Sequence, residues 1–553
     1  MSWIFATIDT KPDWFPKDLP VFSIKGKKLL IITGGNPETC FYSGNEQEGF
    51  VVCGLGMDKR NILSSEDWSR LIENSQTPTD GHYVIFRWDK DKIRAENDIL
   101  GLRELFWEKK GEGFVISTRL DWVAKACNKA TIDFLKIGSL WLGPSLMNWE
   151  SFIDDIYRLG PGGCVEYTLD AFNIDNRRKF ERPAGTKVSV DDVLESLIDA
   201  ISVEPETGKK LSLSGGLDSR ALLAALHGTR QKWEAFTFGF HDEPDCEIVF
   251  SMAKNKKFPL DFWETEIPTG DEIWRIFCEH TARKLMTLPV STAIALDTLE
   301  KLRGRDCITI DGGLGEILRQ RVLRKLAPVP NMPLNTRIVR KLLSSPYPAI
   351  FNRDAMNQME QGFMTDIETA LEMSRGMTAG ETAEMWAIWF RLPNFSGFEQ
   401  ARLDEITRNF MPFVQPSIIN KGLLMSHSDR RNSALHLALL KRFAPELSKY
   451  RLARFGRKLP FTIGVNPYLM RMWLPFTKDC GTPIENRFFR NNIEFVKDRI
   501  FDRLSSQQFA ENPIYNHEFI KFGIKNYLNG KDSAKPIIDW WLTVELFLES
   551  LRK

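Results

Sequence analysis

The ten residues from Leu211 to Arg220, LSLSGGLDSR, carry the side chains best suited to chemistry in this chain. KKLSLS reads as a short strand, Gly215-Gly216 as a tight turn, and LDSRALLAALHG as a helix beginning near Asp218. Glycines let backbone N–H groups converge without Cβ clashes, and a helix start adds unpaired donors and partial positive charge. The segment therefore predicts an anion cradle, to which Ser214 and Ser219 add hydroxyls. It has neither GxxxxGK[ST] nor GxGxxG, which excludes two commoner phosphate loops. Instead the turn carries an acid, Asp218. An acid beside bound phosphate is repulsive unless a cation lies between them, so Asp218 predicts Mg²⁺ bridging carboxylate and phosphate oxygens. The alternative is a plain strand-to-helix turn, with Ser214 as cap and Asp218 offsetting the helix dipole.

The flanking pattern places this turn in a parallel sheet. From about residue 190, SVDDVLESLIDAI predicts a helix capped by Ser189, and EAFTFGF, LDFWETEI and DCITIDGG read as strands. DCEIVFSMAKNKKF lies between two of them as a helix. Alternating strands and helices imply a doubly wound parallel sheet, whose ligands bind at the carboxyl ends of the strands. Residues from about 320 to 553 read as mostly helical. Residues 1 to about 180 read mainly as strands, among them KLLIITGG, GFVVCGLG, GFVISTRLDWVA and the pair HYVIFRWD and KIRAEND around a DKDK turn. IITGGNPE reads as a hairpin turn and LGPGGCVEYTLD as a Pro-Gly turn before a strand. The boundary falls in the polar NRRKFERPAGTK, giving one domain over 1–180 and a second over 190–553.

The chain has 553 residues with formal net charge +1, 43% hydrophobic and 27% charged. No overall charge surplus draws it to nucleic acid or an anionic surface, so neither is expected as a partner. No apolar run is long enough to span a bilayer, and no membrane partner is expected. Eight scattered cysteines without a CxxC pair argue against a zinc or dithiol site. With acids and a proline in MSWIFATIDTKPDWF in place of a signal-peptide core, they make the cytoplasm the expected compartment.

SGGLDS resembles the pyrophosphate loop of the asparagine synthetase-like ATP pyrophosphatases. EAFTFGFHDEPDCEIVFSMAK, ITIDGGLGEILR and RNFMPFVQPSIIN resemble that family's later segments, and GHYVIFRWDKDKIRAENDILGLRELFW and IYRLGPGG its glutaminase-like domain. The resemblance implies an Ntn-like antiparallel β-sandwich flanked by helices, then a doubly wound α/β domain with a helical extension. It implies ATP on Leu213, Ser214, Gly215, Gly216, Leu217, Asp218 and Ser219, with Phe238 and Gly239 near adenine and Asp311 and Gly312 completing the site. Glu247 stands where the family has a recurring Glu. Mg²⁺ would lie on Asp218, helped by Asp311 or Glu316. Lys458 in KYRLARFGRKLPF is the candidate for stabilising the acyl-adenylate transition state, with Arg454 and Arg457 as competitors.

Two departures bear on activity. The position of the family's catalytic Cys is Ser2, and the segments that position glutamine are not recognisable, so the first domain is expected to lack glutaminase activity. The family's Asp-Glu pair appears as Gly315-Glu316. Arg319, Arg321, Arg324 and Lys325 follow, and either bind phosphate or a substrate carboxylate, or form a solvated basic face. The expected function is ATP-dependent amide-bond formation. A small-molecule or peptide carboxylate is adenylated, pyrophosphate leaves, and an amine or ammonia displaces AMP. An ATP-binding scaffold without turnover is the rival, and group transfer to RNA a more distant one. A homodimer or a pathway partner protein is left open.

Overall fold

The computed structural model describes residues 2–552, apart from 10–11, 13, 15–20, 25–26, 46, 169, 177–179, 205–206, 230, 267, 284–285, 321, 327–331, 431–432, 455–456 and 463–492. The amino-terminal half is built from two antiparallel sheets. The first runs, in spatial order, Tyr157–Arg158, Phe106–Lys110, Gly113–Ser117, Trp3–Ile8, Lys27–Gly34, Val21–Ile24. The second runs Phe172–Asp175, Cys164–Thr168, Lys92–Asn97, Asp80–Trp88, Gly49–Asp58, Cys40–Gly44. Side chains alternate between the faces of a strand. Ile4, Ala6 and Ile8 therefore meet Val51, Val84, Phe86 and Ala95 between the sheets. Phe5, from the opposite face, joins a different core with Val123 and Ala124 of the Leu120–Cys127 helix. That second core also holds Ile273, Phe363, Trp541 and Phe547, so the outer face of the first sheet is covered by helices of the carboxyl-terminal half.

Two local readings are corrected. GFVISTRLDWVA is a strand only as far as Ser117; a helix begins at Leu120. Leu120, Val123 and Ala124 have helical spacing and bury one stripe on the sheet, and this packing overrides a strand assignment. IITGGNPE does not close a hairpin. Lys27–Gly34 belongs to the first sheet and Cys40–Gly44 to the second, so the segment crosses the sandwich through a short 3₁₀ turn at Pro37–Thr39.

In the carboxyl-terminal half, five parallel strands lie in the order Leu260–Glu264, Trp233–Gly239, Lys209–Ser212, Ile308–Ile310, Arg408–Phe410. The chain winds outward from the centre in one direction and then returns to continue in the other. The switch falls between Lys209–Ser212 and Ile308–Ile310, where such sheets open a ligand crevice. Ser189 caps the Val190–Ile201 helix with a full capping box, as its sequence predicts. Leu222, Leu223 and Leu226 of the Leu217–Gly228 helix are fully buried. Most of the chain from Thr336 onward is helical, including Arg353–Met373 and Lys535–Arg552. No described helix is long and apolar enough to cross a membrane.

The halves also meet through a buried polar cluster. Asp404, wholly buried, lies 2.8 Å from His82 Nε2 and 3.2 Å from Arg103 Nη1. Its backbone oxygen accepts from Thr39 Oγ1 at 2.6 Å and from Ser2 Oγ at 3.2 Å. The other Arg103 Nη donates to the Ser2 carbonyl oxygen. Trp389 Nε1 donates to the Phe180 oxygen at 2.6 Å, and Trp149 Nε1 to the Trp389 oxygen at 2.6 Å.

Candidate functional site

Parallel register brings three loops to one edge. Leu211 pairs with Ala235 on one side and Ile310 on the other. The strand ends therefore deliver Ser214–Ser219, Gly239 and Asp311–Glu316 to the same rim. Gly312 lets the third loop approach the first: a Cβ there would lie 2.8 Å from the Ser219 nitrogen. Gly239 has φ +138, a backbone conformation that glycine favours, and Phe238 precedes it at the end of the second strand.

The turn is internally braced. Ser214 N donates to Ser219 Oγ at 3.1 Å, Gly216 N to Ser214 Oγ at 3.2 Å, and Gly215 N to Asp245 Oδ1 at 2.7 Å. Burial raises the Asp245 carboxyl, against the opposing pull of that N–H and of Arg220. Gly216 is the N-cap of the Leu217–Gly228 helix and supplies no side-chain cap. The capping alternative for Ser214 is thus not realised: its hydroxyl stays within the turn, and no side chain caps the helix start behind Leu217, Asp218 and Ser219.

Arg220 fixes the loop from beneath. Its wholly buried guanidinium donates to the carbonyl oxygens of Gly215 (3.0 Å), Leu447 (3.2 Å), Tyr450 (3.0 Å) and Arg451 (2.7 Å). Ala453 N also donates to Gly215 O, at 3.0 Å. The hairpin of Arg451–Arg454 and Arg457–Thr462 is thereby strapped to the turn, with Lys458 opposite Ala453 in register. The Lys458 side chain, with those of Arg454 and Arg457, lies outside the described residues, as do Arg321 and the Arg324 side chain.

Asp218 is not solitary. Its carboxylate is bonded by Arg319 Nη2 through Oδ2 and lies 2.8 Å from His436 Nε2 through Oδ1. Both partners are buried, and His436 stacks on Phe413 at 4.9 Å between ring centroids. Burial alone would raise the Asp218 carboxyl, but Arg319 and His436 outweigh it and hold the group below the usual carboxylate range. RNFMPFVQPSIIN thus contributes Phe413 as the wall behind Asp218. Glu316 lies 3.7 Å from the same Arg319 nitrogen.

The proposed metal residues do not form a ligand set. Among the described residues, no group of three or more His, Cys, Asp or Glu side chains could hold a metal ion. Asp311 accepts from Gly313 N at 2.8 Å, and burial raises its carboxyl, which disfavours the charged form a cation needs. Gly315, where the family's second acid is expected, abuts Asp218: a Cβ there would lie 2.4 Å from Asp218 Oδ1 and 2.9 Å from Phe413. As placed, these donors do not form a protein-only cage for a divalent cation, and an arginine and a histidine stand on Asp218.

That close approach gives a prediction. Gly315→Ala should push Asp218 off its two partners. We expect a stability loss of about 1–3 kcal/mol from overpacking, read by thermal melting. An unchanged melt would show that the contact is relieved elsewhere.

His436, Asp245 and Arg220 were not singled out from sequence. His436 sits as one polar residue in the apolar run ALHLALL, with no spacing to mark it. Asp245 and Arg220 could have been suspected, as charged residues in the first turns of helices that follow two adjacent strands. Glu247 is exposed on the Pro244–Lys256 helix.

No protein-family model matches the chain. A stretch of 220 residues is 22% identical to the microcin J25-processing protein McjC of Escherichia coli, covering 38% of this chain and 42% of that protein. The chain thus spans less than half the length of this curated relative. Among solved structures, B. subtilis glutamine phosphoribosylpyrophosphate amidotransferase complexed with ADP and GMP aligns at 11% identity. The alignment covers 62% of this chain and 73% of that one, with a TM-score of 0.20. The allosteric regulatory enzyme of purine biosynthesis aligns at 11% identity over 64% and 76%, also at 0.20. Overlays this loose carry no weight for the site. The SGGLDS turn at the switch point of a parallel sheet, the paired antiparallel sheets ahead of it and the similarity to McjC together support an asparagine synthetase-like family for this chain.

Proposed function

We propose that the chain is an ATP-dependent amide-bond-forming ligase that draws no ammonia from its own first domain. The observation that carries this reading is the convergence at the sheet's switch point. An uncapped helix start, a Gly-Gly turn and a buried arginine meet there, beside a second glycine loop. Such a rim suits a triphosphate.

In the proposed reaction, a carboxylate oxygen of a small-molecule or peptide substrate attacks the α-phosphorus of ATP. The bond from that phosphorus to the bridging oxygen breaks, and pyrophosphate leaves. An amine nitrogen then attacks the acyl carbon, AMP departs, and the nitrogen gives up a proton. AMP is a far better leaving group than the carboxylate oxygen it replaces. The chain's share is positioning and charge neutralisation. Arg220 fixes the turn, Arg319 faces the phosphates, and Asp218 with His436 orients Arg319. Lys458 is assigned to the charge that develops on the acyl-adenylate.

The amine source is external to the first domain or part of the substrate. Ser2, at the nucleophile position, is wholly buried, and its hydroxyl is tied to Thr39 and to the Asp404 carbonyl. Arg103 occupies its backbone oxygen. This burial and bonding support a hydroxyl that does not meet glutamine. Glutamine should yield no glutamate above buffer with the protein alone, and Ser2→Ala should change nothing; glutamate release lost in that variant would overturn this part.

Incubation with ATP and a panel of peptide and small-molecule carboxylates tests the main reading. We expect AMP and pyrophosphate, not ADP and phosphate. The rival is a nucleotide-binding scaffold, motivated by Gly315 in place of an acid. It predicts no AMP with any substrate. We place the protein in the cytoplasm on its scattered cysteines, and propose that a second copy or a pathway protein assists it.

A further inference from the structure

We propose that Arg319 does the work of a divalent cation, so that the phosphate site binds nucleotide phosphates without metal held by the protein. The inference rests on the proposed function for the identity of the ligand. It departs from that family's expected chemistry on three observations.

The first is charge. A cradle with two carboxylates and no metal carries two negative charges against an incoming phosphate. Here the second carboxylate position is Gly315, and Asp218 is matched by the Arg319 guanidinium, which Glu316 approaches only at 3.7 Å. The pair is neutral before any ligand arrives. His436 Nε2 lies 2.8 Å from the other oxygen of the same carboxylate. The electrostatic reason for recruiting a metal is therefore removed.

The second is space. A metal between Asp218 and a carboxylate at position 315 would need a side chain there, and a Cβ would already meet Asp218 Oδ1 at 2.4 Å. The loop closes the gap that a cation would fill.

The third is unused donor capacity. Arg319 is nine-tenths buried, and its Nε has no hydrogen-bond partner among the described residues. A guanidinium offers five N–H donors in a planar fork suited to phosphate oxygens. Its contact with Asp218 runs through Nη2 alone. A buried donor without an acceptor is costly, and a phosphate oxygen is an acceptor of the right charge.

The test is calorimetric titration of the full chain with inorganic pyrophosphate and with ATP, in EDTA and in excess MgCl₂. Thermal shift serves as a second readout where heats are small. We expect both ligands to bind in EDTA within about threefold of their affinity in Mg²⁺, a difference below 1 kcal/mol. Arg319→Gln should lose about ten- to a hundredfold in EDTA, the worth of a charge-assisted contact. Asp218→Asn should weaken pyrophosphate binding to the same extent in EDTA and in MgCl₂, because what it disturbs is the hold on Arg319. A metal-ligand role for Asp218 predicts a loss confined to MgCl₂. Wild-type affinity that falls more than about tenfold in EDTA would overturn the inference and return Asp218 to a metal, with the proposed function intact. Absence of binding in both media would overturn the inference and the proposed function together. The wild-type comparison decides even if a variant fails to fold.

Discussion

Asp404→Ala is expected to destabilise the whole chain by about 3–5 kcal/mol, the cost of breaking a buried ion pair from one side. Asp404 has no exposure, and the Arg103 side chain opposite it is almost as buried. Removing the carboxylate leaves a guanidinium in a dry interior, with Ala401 O and Ser2 O as neutral partners only. His82 loses its contact at the same time. Because this cluster joins the sandwich to the carboxyl-terminal half, both halves should respond together. Urea unfolding followed by near-UV and far-UV dichroism would show a single transition moving to lower denaturant. The double replacement Arg103→Met with Asp404→Leu should recover much of the loss, since well-packed apolar groups of similar volume can replace a buried pair. A change below about 1 kcal/mol in Asp404→Ala would mean that water or another group reaches Arg103.

Arg220→Met is expected to be as costly and to remove nucleotide binding too. Four backbone oxygens accept from this one guanidinium, and leaving a buried acceptor unmet costs about 1–3 kcal/mol for each. Gly215 O keeps its bond from Ala453 N, so the full sum does not apply. Burial lowers the Arg220 guanidinium to about 10, which still leaves it charged at neutral pH. Arg220→Lys should not rescue, because a single ammonium cannot span the oxygens of Gly215, Leu447, Tyr450 and Arg451. The variant loosens the turn from the hairpin that carries Lys458, so a loss of ATP affinity should accompany the fall in melting temperature. Retention of both in Arg220→Lys would contradict this strapping role.

The chain's sequence was legible where local chemistry and topology agree. KKLSLS, the Gly-Gly turn and the following helix form as their pattern predicts, because each residue satisfies local propensity and the parallel sheet together. The alternation of strands and helices from 190 onward likewise became a parallel sheet whose switch point lies beside that turn. The errors arose where tertiary packing decides. The helix at Leu120 could not be told from a strand continuation by a short apolar run. The crossing at Gly34-Gly35 looked like a hairpin because two glycines after a strand are the same signal in either case. At the site, Asp218 was recognisable, but what it bonds was not. Arg319 lies 101 residues away and His436 on another helix, and only the fold brings them together. That an acid stands at the turn was legible; the arginine that bonds it in the fold was not.

ATP–pyrophosphate exchange, run across peptide and small-molecule carboxylates with Asp218→Ala alongside, tests the central claim most directly. The account predicts exchange dependent on one class of carboxylate, reduced at least about a hundredfold in the variant because Arg319 is no longer held against the phosphates. Pyrophosphate exchange that is equal in wild type and Asp218→Ala, or ATP binding without exchange or AMP across the panel, would contradict it.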